Sequence, residues 1–419
     1  MKTIAFHTLG CKLNFAESSF LAGGFMERGY VQVAFKEKAD VYVINTCTVT
    51  QVAEKKCRNA IRQANKLNPD AIVAVIGCMS QLKASEIEQI EGVDIILGND
   101  DKRKLIELVE NHKKDTAVEN HVCDMSRMHS FYPSYSSSDR TRSFLKIQDG
   151  CDYFCTYCAI PYSRGRSRSG DIASTVACAE ELAKQGKKEV VLTGVNIGEF
   201  GKQSGETFLE LIRELDKIEG IERYRISSIE PNLITEETVD FCARSHKFLP
   251  HFHIPLQAGS NKILHLMKRK YDRELFAERV KYINCRMPQA FIAADVIVGF
   301  PHETAEDFAE AKDFIASLPL TALHVFTYSE RPGTPAAGMP ESVPMSERHR
   351  RSMELQKLYQ ANKGRKVSIL WEADNEDGIM YGFTENYIRV GRKFDERYIN
   401  EITEEIIETI DHKHKSYIL

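Results

Sequence analysis

The stretch that decides the reading is Ile147-Gln148-Asp149-Gly150-Cys151-Asp152-Tyr153-Phe154-Cys155-Thr156-Tyr157-Cys158-Ala159-Ile160-Pro161-Tyr162. Its three cysteines are spaced as CxxxCxxC. Three thiolates this close can hold three irons of one cubane cluster. Iron–sulfur clusters normally take four thiolates, and residues 159–169 contain no sulfur. One iron is then open to a substrate or cofactor. The competing reading is structural zinc. Zinc wants four closed ligands, commonly as paired cysteines or histidines, and no such pair stands near this run.

A second constellation lies ahead of the first. Residues 3–9 read as a strand and lead to Gly10-Cys11. Residues 41–44 lead to Asn45-Thr46-Cys47, and 71–76 to Gly77-Cys78. A fourth apolar run, 93–97, ends at Gly98-Asn99 without a cysteine. Helical patterns over 17–28 and 53–66 separate the strands, which predicts βαβ units in a parallel sheet. Parallel strands share one carboxyl edge, where open α/β sheets bind ligands. Cys11, Cys47 and Cys78 are therefore expected to meet on one rim as a second three-cysteine site. The plainer alternative is that each is a small buried hydrophobe. Cys57, Cys123, Cys178, Cys242 and Cys285 lack this placement and read as packing residues.

A chain of 419 residues has room for two to four domains. Its 42% hydrophobic and 28% charged residues are those of a water-soluble globular protein. No apolar run approaches a membrane span, and the N-terminus lacks a signal-peptide pattern, so the expected location is cytoplasmic. Eleven cysteines in such a chain argue for metal or catalysis before disulfides. The net charge of −4 excludes a general polycation, so nucleic-acid binding must come from local patches. Arg142, Lys146, Arg164, Arg166 and Arg168 surround the cysteine run and are placed to meet phosphate. Two later basic groups, Lys268-Arg269-Lys270 with Arg273, and Arg348 with Arg350 and Arg351, read equally well as solvated faces.

The Ser-rich, aperiodic stretch 131–138 reads as a linker. After it, six strand candidates (144–148, 189–193, 224–229, 252–256, 293–298 and 322–328) alternate with helical segments. Six β/α units predict an open partial barrel, with the site on the carboxyl-end loops. Asn196, Ser227, Ser228, Glu230, Gln257, Gly299 and Tyr328 fall at those exits. From residue 366 short strands alternate with acidic turns, which predicts a small β-barrel of the kind that binds RNA. Its candidate contacts are Tyr387, Arg389, Arg392, Lys393 and Arg397, although the tail carries more acid than base. A structural cap is the alternative. The fold class is α/β: an N-terminal parallel-sheet α/β domain over 1–120, a linker over 121–140, a central (β/α)6 partial TIM barrel over 141–362, and a small C-terminal β-barrel over 363–419.

The CxxxCxxC run, with Tyr157 before its third cysteine, resembles the signature of the radical S-adenosylmethionine enzymes. Over essentially its full length the chain resembles their methylthiotransferase family. The motifs that carry this are Thr8-Leu9-Gly10-Cys11-Lys12-Leu13-Asn14, Asn45-Thr46-Cys47-Thr48-Val49-Thr50, Gly77-Cys78, and the cysteine run with Ile160-Pro161-Tyr162-Ser163-Arg164-Gly165-Arg166. His253-Ile254-Pro255-Leu256-Gln257-Ala258-Gly259-Ser260 and Gly299-Phe300-Pro301-His302-Glu303-Thr304 match as well, with His302 where the family usually has glycine. Cys11-Lys12-Leu13-Asn14 and Gln148-Asp149-Gly150-Cys151-Asp152 resemble the branch acting on N6-threonylcarbamoyladenosine at position 37 of the tRNA anticodon loop.

The resemblance implies a transferase with two [4Fe–4S] clusters and a C-terminal TRAM domain. Cys151, Cys155 and Cys158 would hold the cluster that binds and cleaves S-adenosylmethionine. Cys11, Cys47 and Cys78 would hold the auxiliary cluster that presents sulfur. The resulting radical would open C2 of adenosine for methylthio insertion, chemistry that the cofactor must carry, on a base unstacked from its loop. The implied cofactor pocket is Tyr157, Ser227, Glu230, Ile297, Gly299 and Tyr328. Asn196, Gln257, Arg164, Arg166, Arg389, Arg392 and Lys393 are the candidates for substrate or RNA. The implied partners are tRNA, an electron donor such as flavodoxin or ferredoxin, and a sulfur donor, with no membrane and a monomeric chain. Two other substrates stay open, isopentenyladenosine in tRNA and a ribosomal-protein aspartate, as does a non-catalytic RNA-binding iron–sulfur protein.

Overall fold

The computed structural model of the chain describes residues 1–48, 51–100, 102–114, 116–125, 128, 130–136, 142–358, 366–385, 389–406, 409–411 and 416–418. Tyr387 lies outside them. Among the described residues, no helix is long and apolar enough to cross a membrane.

The N-terminal unit runs β1 (Thr3–Thr8), α1 (Lys12–Glu27), β2 (Val31–Gln32), β3 (Val41–Thr46), α2 (Gln51–Leu67), β4 (Ile72–Gly77), α3 (Cys78–Glu88), β5 (Ile95–Leu97), α4 (Lys104–Asn111) and β6 (Glu119–His121). The sheet order is β2-β1-β3-β4-β5-β6, and every pair is parallel. The reason is visible in β3, whose six residues are all buried. Tyr42 and Ile44 enter one apolar core and Val41 and Val43 the other. A strand covered on both faces reads as a continuous apolar run, the mark of a parallel sheet flanked by helices.

The central unit begins with β7 (Ser134–Tyr135), β8 (Arg142–Lys146), β9 (Gln148–Asp149), α5 (Ile160–Arg164), β10 (Arg168–Ser169), α6 (Ile172–Lys184), β11 (Glu189–Thr193), α7 (Phe208–Asp216), β12 (Arg223–Ile226) and α8 (Glu236–Arg244). It continues with β13 (His251–Gln257), α9 (Asn261–Leu266), α10 (Arg273–Arg286), β14 (Phe291–Val298), α11 (Ala305–Ala316), β15 (Ala322–Thr327) and α12 (Met345–Gln356). Parallel β8-β11-β12 and parallel β13-β14-β15 join edge to edge through bridges at Tyr224–Phe248 and Ser228–His253. This is the six-strand open barrel that the sequence predicts. Phe252, Ile254, Leu256, Ala294, Val296 and Val298 face the helices in one large core.

The C-terminal sheet comprises β16 (Lys366–Glu376), β17 (Ile379–Thr384), β18 (Arg389–Lys393), β19 (Ile402–Ile406), β20 (Thr409–Asp411) and β21 (Ser416–Ile418). It is antiparallel except between β18 and β21, around Ile369, Trp371, Met380 and Val390. It docks on the barrel through arginines. Arg225 donates to the carbonyls of Thr384 at 3.2 Å and Glu385 at 3.1 Å. Arg142 pairs with Glu372 at 3.0 Å and lies over the Phe383 ring. Arg142 is thus buried between sheets and does not meet phosphate, contrary to its sequence expectation.

The N-terminal unit and the barrel are joined by a buried ionic cage. Glu17 of α1 pairs with Lys102, with Lys146 at 2.9 Å and with Arg164 at 3.3 Å. Asp149 pairs with Arg164 at 2.9 Å and with Lys146 and Arg168 at 3.1 Å each. None of these six side chains is more than 1% exposed. Burial opposes the charge on each carboxylate, but the surrounding cations outweigh it and hold both below the usual carboxylate range. This corrects the expectation that Arg164, Lys146 and Arg168 reach RNA: their charges are spent inside the protein. Removing one partner of a buried pair costs about 3–5 kcal/mol. Glu17→Gln is therefore expected to lower the unfolding free energy of the full chain by that amount in a urea titration. Glu110→Gln, which breaks the exposed Arg28–Glu110 pair at 2.7 Å, should cost about 1 kcal/mol or less.

Candidate cluster-binding and active site

The cysteine run leaves the barrel just after β9. Gly150 has φ of +70°, and a Cβ there would lie 2.0 Å from the Arg166 carbonyl oxygen, so only glycine fits. Phe154 holds a left-handed φ of +50°. Such local strain persists where the surroundings enforce it, often at functional sites. The Cys151 N–H donates to the Gly165 carbonyl at 3.1 Å, and the Tyr153 N–H points at Cys151 Sγ at 3.4 Å. Arg269 Nη1 donates to Cys155 Sγ at 3.0 Å and to the Tyr157 hydroxyl at 3.3 Å, while Nη2 pairs with Glu230. Burial raises the thiols of Cys151, Cys155 and Cys158, the last to about 12. Thiols raised in this way ionise only where positive charge is supplied, and bound iron supplies it directly.

The strand exits around the run hold orphaned polar atoms. Both side-chain polar atoms of Asn196 and the hydroxyl of Ser227 are buried and, among the described residues, have no hydrogen-bond partner. Buried polar groups are ordinarily paired, so these two positions fit contacts to a bound polar cofactor or substrate. Glu230 and Tyr157 join the site through Arg269, and burial raises the Glu230 carboxyl despite that pairing. Gln257 sits at a bulge in β13 with φ of +65°. Ile297 packs with Tyr157 and Tyr328 against Phe300. At Gly299 the packing is tight. A Cβ there would lie 2.3 Å from Arg348 Cγ, so packing of α12 requires the glycine. Arg348 also donates to the Tyr328 carbonyl at 2.7 Å, and the Tyr328 hydroxyl is buried without a partner among the described residues.

The second cysteine set sits at the carboxyl ends of β1, β3 and β4, which are neighbours in the sheet. Cys11 caps α1, Cys47 follows β3, and Cys78 opens α3. Gly10 has φ of +103°, and a Cβ there would lie 2.8 Å from Cys47 Sγ. Asn99, which follows β5, where no cysteine stands, donates from Nδ2 to Cys78 Sγ at 3.4 Å and to the Ser163 carbonyl at 2.9 Å. The charge of Arg164 acts on Cys11 and Cys78, and that of Arg331, from the loop after β15, acts on Cys47. Among the described residues, the cage sets four basic side chains against two carboxylates, with burial lowering the Lys102 ammonium. Uncompensated buried charge is costly, and an anionic iron–thiolate group beside Arg164 would offset it. The residues present therefore fit such a group.

Sequence reasoning missed Arg269, Asn99 and Arg331. Arg269 stood within a basic run that read as a solvated face, and Asn99 was noted only for not being cysteine. Of the five remaining cysteines, Cys57 and Cys242 are buried, Cys178 packs against the main core and Cys123 is partly exposed. Cys285 is exposed on α10, so it is not the packing residue expected. Arg166 is exposed and lies over Phe154. Arg389 pairs with Glu376 at 3.0 Å and Arg392 with Glu405 at 3.3 Å, which leaves Lys393 the exposed cation of β18. Arg397 is 83% exposed beside Asp395.

Residues 3–98 match the family described as Uncharacterized protein family UPF0004, and residues 145–315 match the Radical SAM superfamily. The chain is 40% identical to threonylcarbamoyladenosine tRNA methylthiotransferase MtaB of Bacillus subtilis, over 96% of this chain and 93% of that one. It is 38% identical to tRNA-2-methylthio-N(6)-dimethylallyladenosine synthase of Natranaerobius thermophilus, over 80% of this chain and 76% of that one. Among solved structures, the radical S-adenosylmethionine methyltransferase TsrM of Kitasatospora setae superimposes with a TM-score of 0.58 at 17% identity, over 80% of this chain and 77% of that one. The chain belongs to the radical S-adenosylmethionine methylthiotransferase family.

Proposed function

We propose that this chain is a tRNA-modifying enzyme that converts N6-threonylcarbamoyladenosine in the anticodon loop to its 2-methylthio form. The observation that carries the reading is the junction at α5. Ser163 and Arg164 of this helix, five and six residues after the first set ends at Cys158, reach the second cysteine set through Asn99 and through the field of Arg164. Two three-cysteine sites thus share one wall. Similarity over nearly the whole chain to the Bacillus subtilis protein supports the threonylcarbamoyl branch.

Cys151, Cys155 and Cys158 would hold one [4Fe–4S] cluster, and Cys11, Cys47 and Cys78 the other. When bound, these clusters and S-adenosylmethionine supply the radical and the sulfur chemistry. The chain's own part is positioning. Arg269 donates to one thiolate and fixes Glu230 and Tyr157 beside it. Asn196 and Ser227 offer unpaired polar atoms to S-adenosylmethionine or to the base. Gly10 allows Cys11 and Cys47 to close on one another. Of the sequence candidates, exposed Arg166, beside Asp152 at 3.7 Å, and Lys393 are placed to meet the RNA backbone, with the C-terminal sheet as a TRAM-type RNA-binding domain. An external electron donor and a sulfur donor complete the reaction, in a cytoplasmic monomer.

Nucleosides from cells lacking the gene, weighed by mass spectrometry, are expected to lose the 2-methylthio form of threonylcarbamoyladenosine and accumulate its parent. Loss of the dimethylallyl counterpart instead would move the chain to the other branch. In the purified, reconstituted protein, Cys155→Ala should lose about half of the bound iron, as one of two four-iron clusters, and all S-adenosylmethionine cleavage. Cys47→Ala should lose a similar share of iron and all methylthiolation while still forming 5′-deoxyadenosine. If both variants kept full iron content, the ligand assignment would be wrong.

A further inference from the structure

His253, Asp295 and His324 stand together on the neighbouring parallel strands β13, β14 and β15. Asp295 is the register partner of His324, and also of Pro255, two residues beyond His253. The two-residue period of a strand sets all three on the face opposite Ile254, Ala294 and Val325, which pack towards the helices. They therefore line the inner wall of the barrel. His253 Nε2 lies 2.8 Å from Asp295 Oδ1, and His324 Nδ1 lies 3.2 Å from the same oxygen. His253 Nδ1 is bonded to the Ser228 hydroxyl at 2.9 Å. The two rings meet edge to face at 5.1 Å.

This network is turned towards open space. His253 and Asp295 are about one-fifth exposed and His324 is 50% exposed. Both nitrogens of His253 are used, whereas His324 Nε2 takes no partner among the described residues. Phe326, on the same face two residues on, is 51% exposed and supplies an apolar flank. The patch is linked to the cysteine run through Glu230. The charge of Asp295 acts on Glu230, whose partner Arg269 reaches Cys155 Sγ.

We propose that His253, Asp295 and His324 form the subsite for the polar, carboxylate-bearing substituent on N6 of the target adenosine, with His324 as the residue that reads it. The inference rests on the function proposed above. Asp295 and Ser228 lock the network, so a single nitrogen faces open space at a fixed angle. That nitrogen donates to a carboxylate when the ring is charged, and accepts from a hydroxyl or amide N–H when it is neutral. A wholly apolar N6 substituent would bury it unpaired. Sites built to hydrogen-bond a substrate group discriminate strongly against analogues that lack it.

The test titrates reconstituted holoenzyme anaerobically with three anticodon stem-loops. They differ only at the target adenosine, which is threonylcarbamoylated, dimethylallylated or unsubstituted. Wild type, His324→Ala and His324→Gln are compared, with iron content and thermal midpoint reporting intact protein. Wild type is expected to bind the threonylcarbamoyl loop at least ~10-fold more tightly than the unsubstituted one, a gain of about 1.4 kcal/mol. His324→Ala should erase that preference by weakening the threonylcarbamoyl loop alone, with KM rising more than kcat falls. His324→Gln, which keeps a hydrogen-bonding group, should recover part of it. An equal loss on all three loops, or an unchanged preference, overturns the subsite. Two histidines and a carboxylate also make a recognised metal triad. One equivalent of a non-iron metal in wild type, released by Asp295→Asn, would overturn the subsite in favour of that reading. A wild type that prefers the dimethylallyl loop refutes the proposed function itself, and the subsite with it, before any variant is compared.

Discussion

Two carboxylates, Glu17 and Asp149, hold four basic side chains out of water at the seam between the N-terminal sheet and the barrel. Everything that brings the two cysteine sets together depends on this seam. Glu17 belongs to the helix that Cys11 caps, and Asp149 precedes Cys151 by two residues. The cage therefore ties the first residue of one cysteine set to the first residue of the other. Ion pairs at such a depth add little net stability against a well-packed apolar seam. What they add here is register: only one docking of the two units pairs every charge. The excess of basic side chains lies where sulfur ligands gather, so the same charges that align the units also suit an anionic group.

Much of this was legible in the sequence, and what was hidden follows a pattern. Apolar runs ending in cysteine marked three adjacent strands because a parallel sheet buries both faces and exposes one edge. The six barrel strands were legible for the same reason, with edges misplaced by one to three residues at positions such as His251 and Phe291. Charge was read poorly. Arg142, Lys146, Arg164 and Arg168 looked like a phosphate patch, yet each is buried against acid more than ten residues away, Arg164 against Glu17 and Arg142 against Glu372. Sequence shows a cation's neighbours along the chain and not its partner in space. Arg269 was hidden in the same way: its neighbours Lys268 and Lys270 made it one of a basic run, while its side chain turns inward to Cys155. His302 keeps a left-handed φ of +67°, a conformation that glycine adopts without strain.

The site therefore separates into parts of different legibility. Sulfur positions were readable because their chemistry tolerates few substitutes. The groups that donate to sulfur or face the base come from amide, hydroxyl and imidazole side chains with many ordinary uses. Asn196 and Ser227 were marked by their places at strand exits, and the structure adds that their buried atoms are unpaired among the described residues. His253, Asp295 and His324 became distinct only when three strands set them side by side.

The five-residue helix from Ile160 to Arg164 has a further consequence. Its penultimate residue accepts from Asn99, and its last residue fills the cage. An α-helix turns about 100° with each residue. Adding or deleting one residue between Cys158 and Arg164 would therefore swing the guanidinium roughly a quarter-turn away from Glu17 and Asp149. The segment works as a phase lock as well as a spacer. Its length is constrained more tightly than its composition, and side chains there that face neither partner are free to drift.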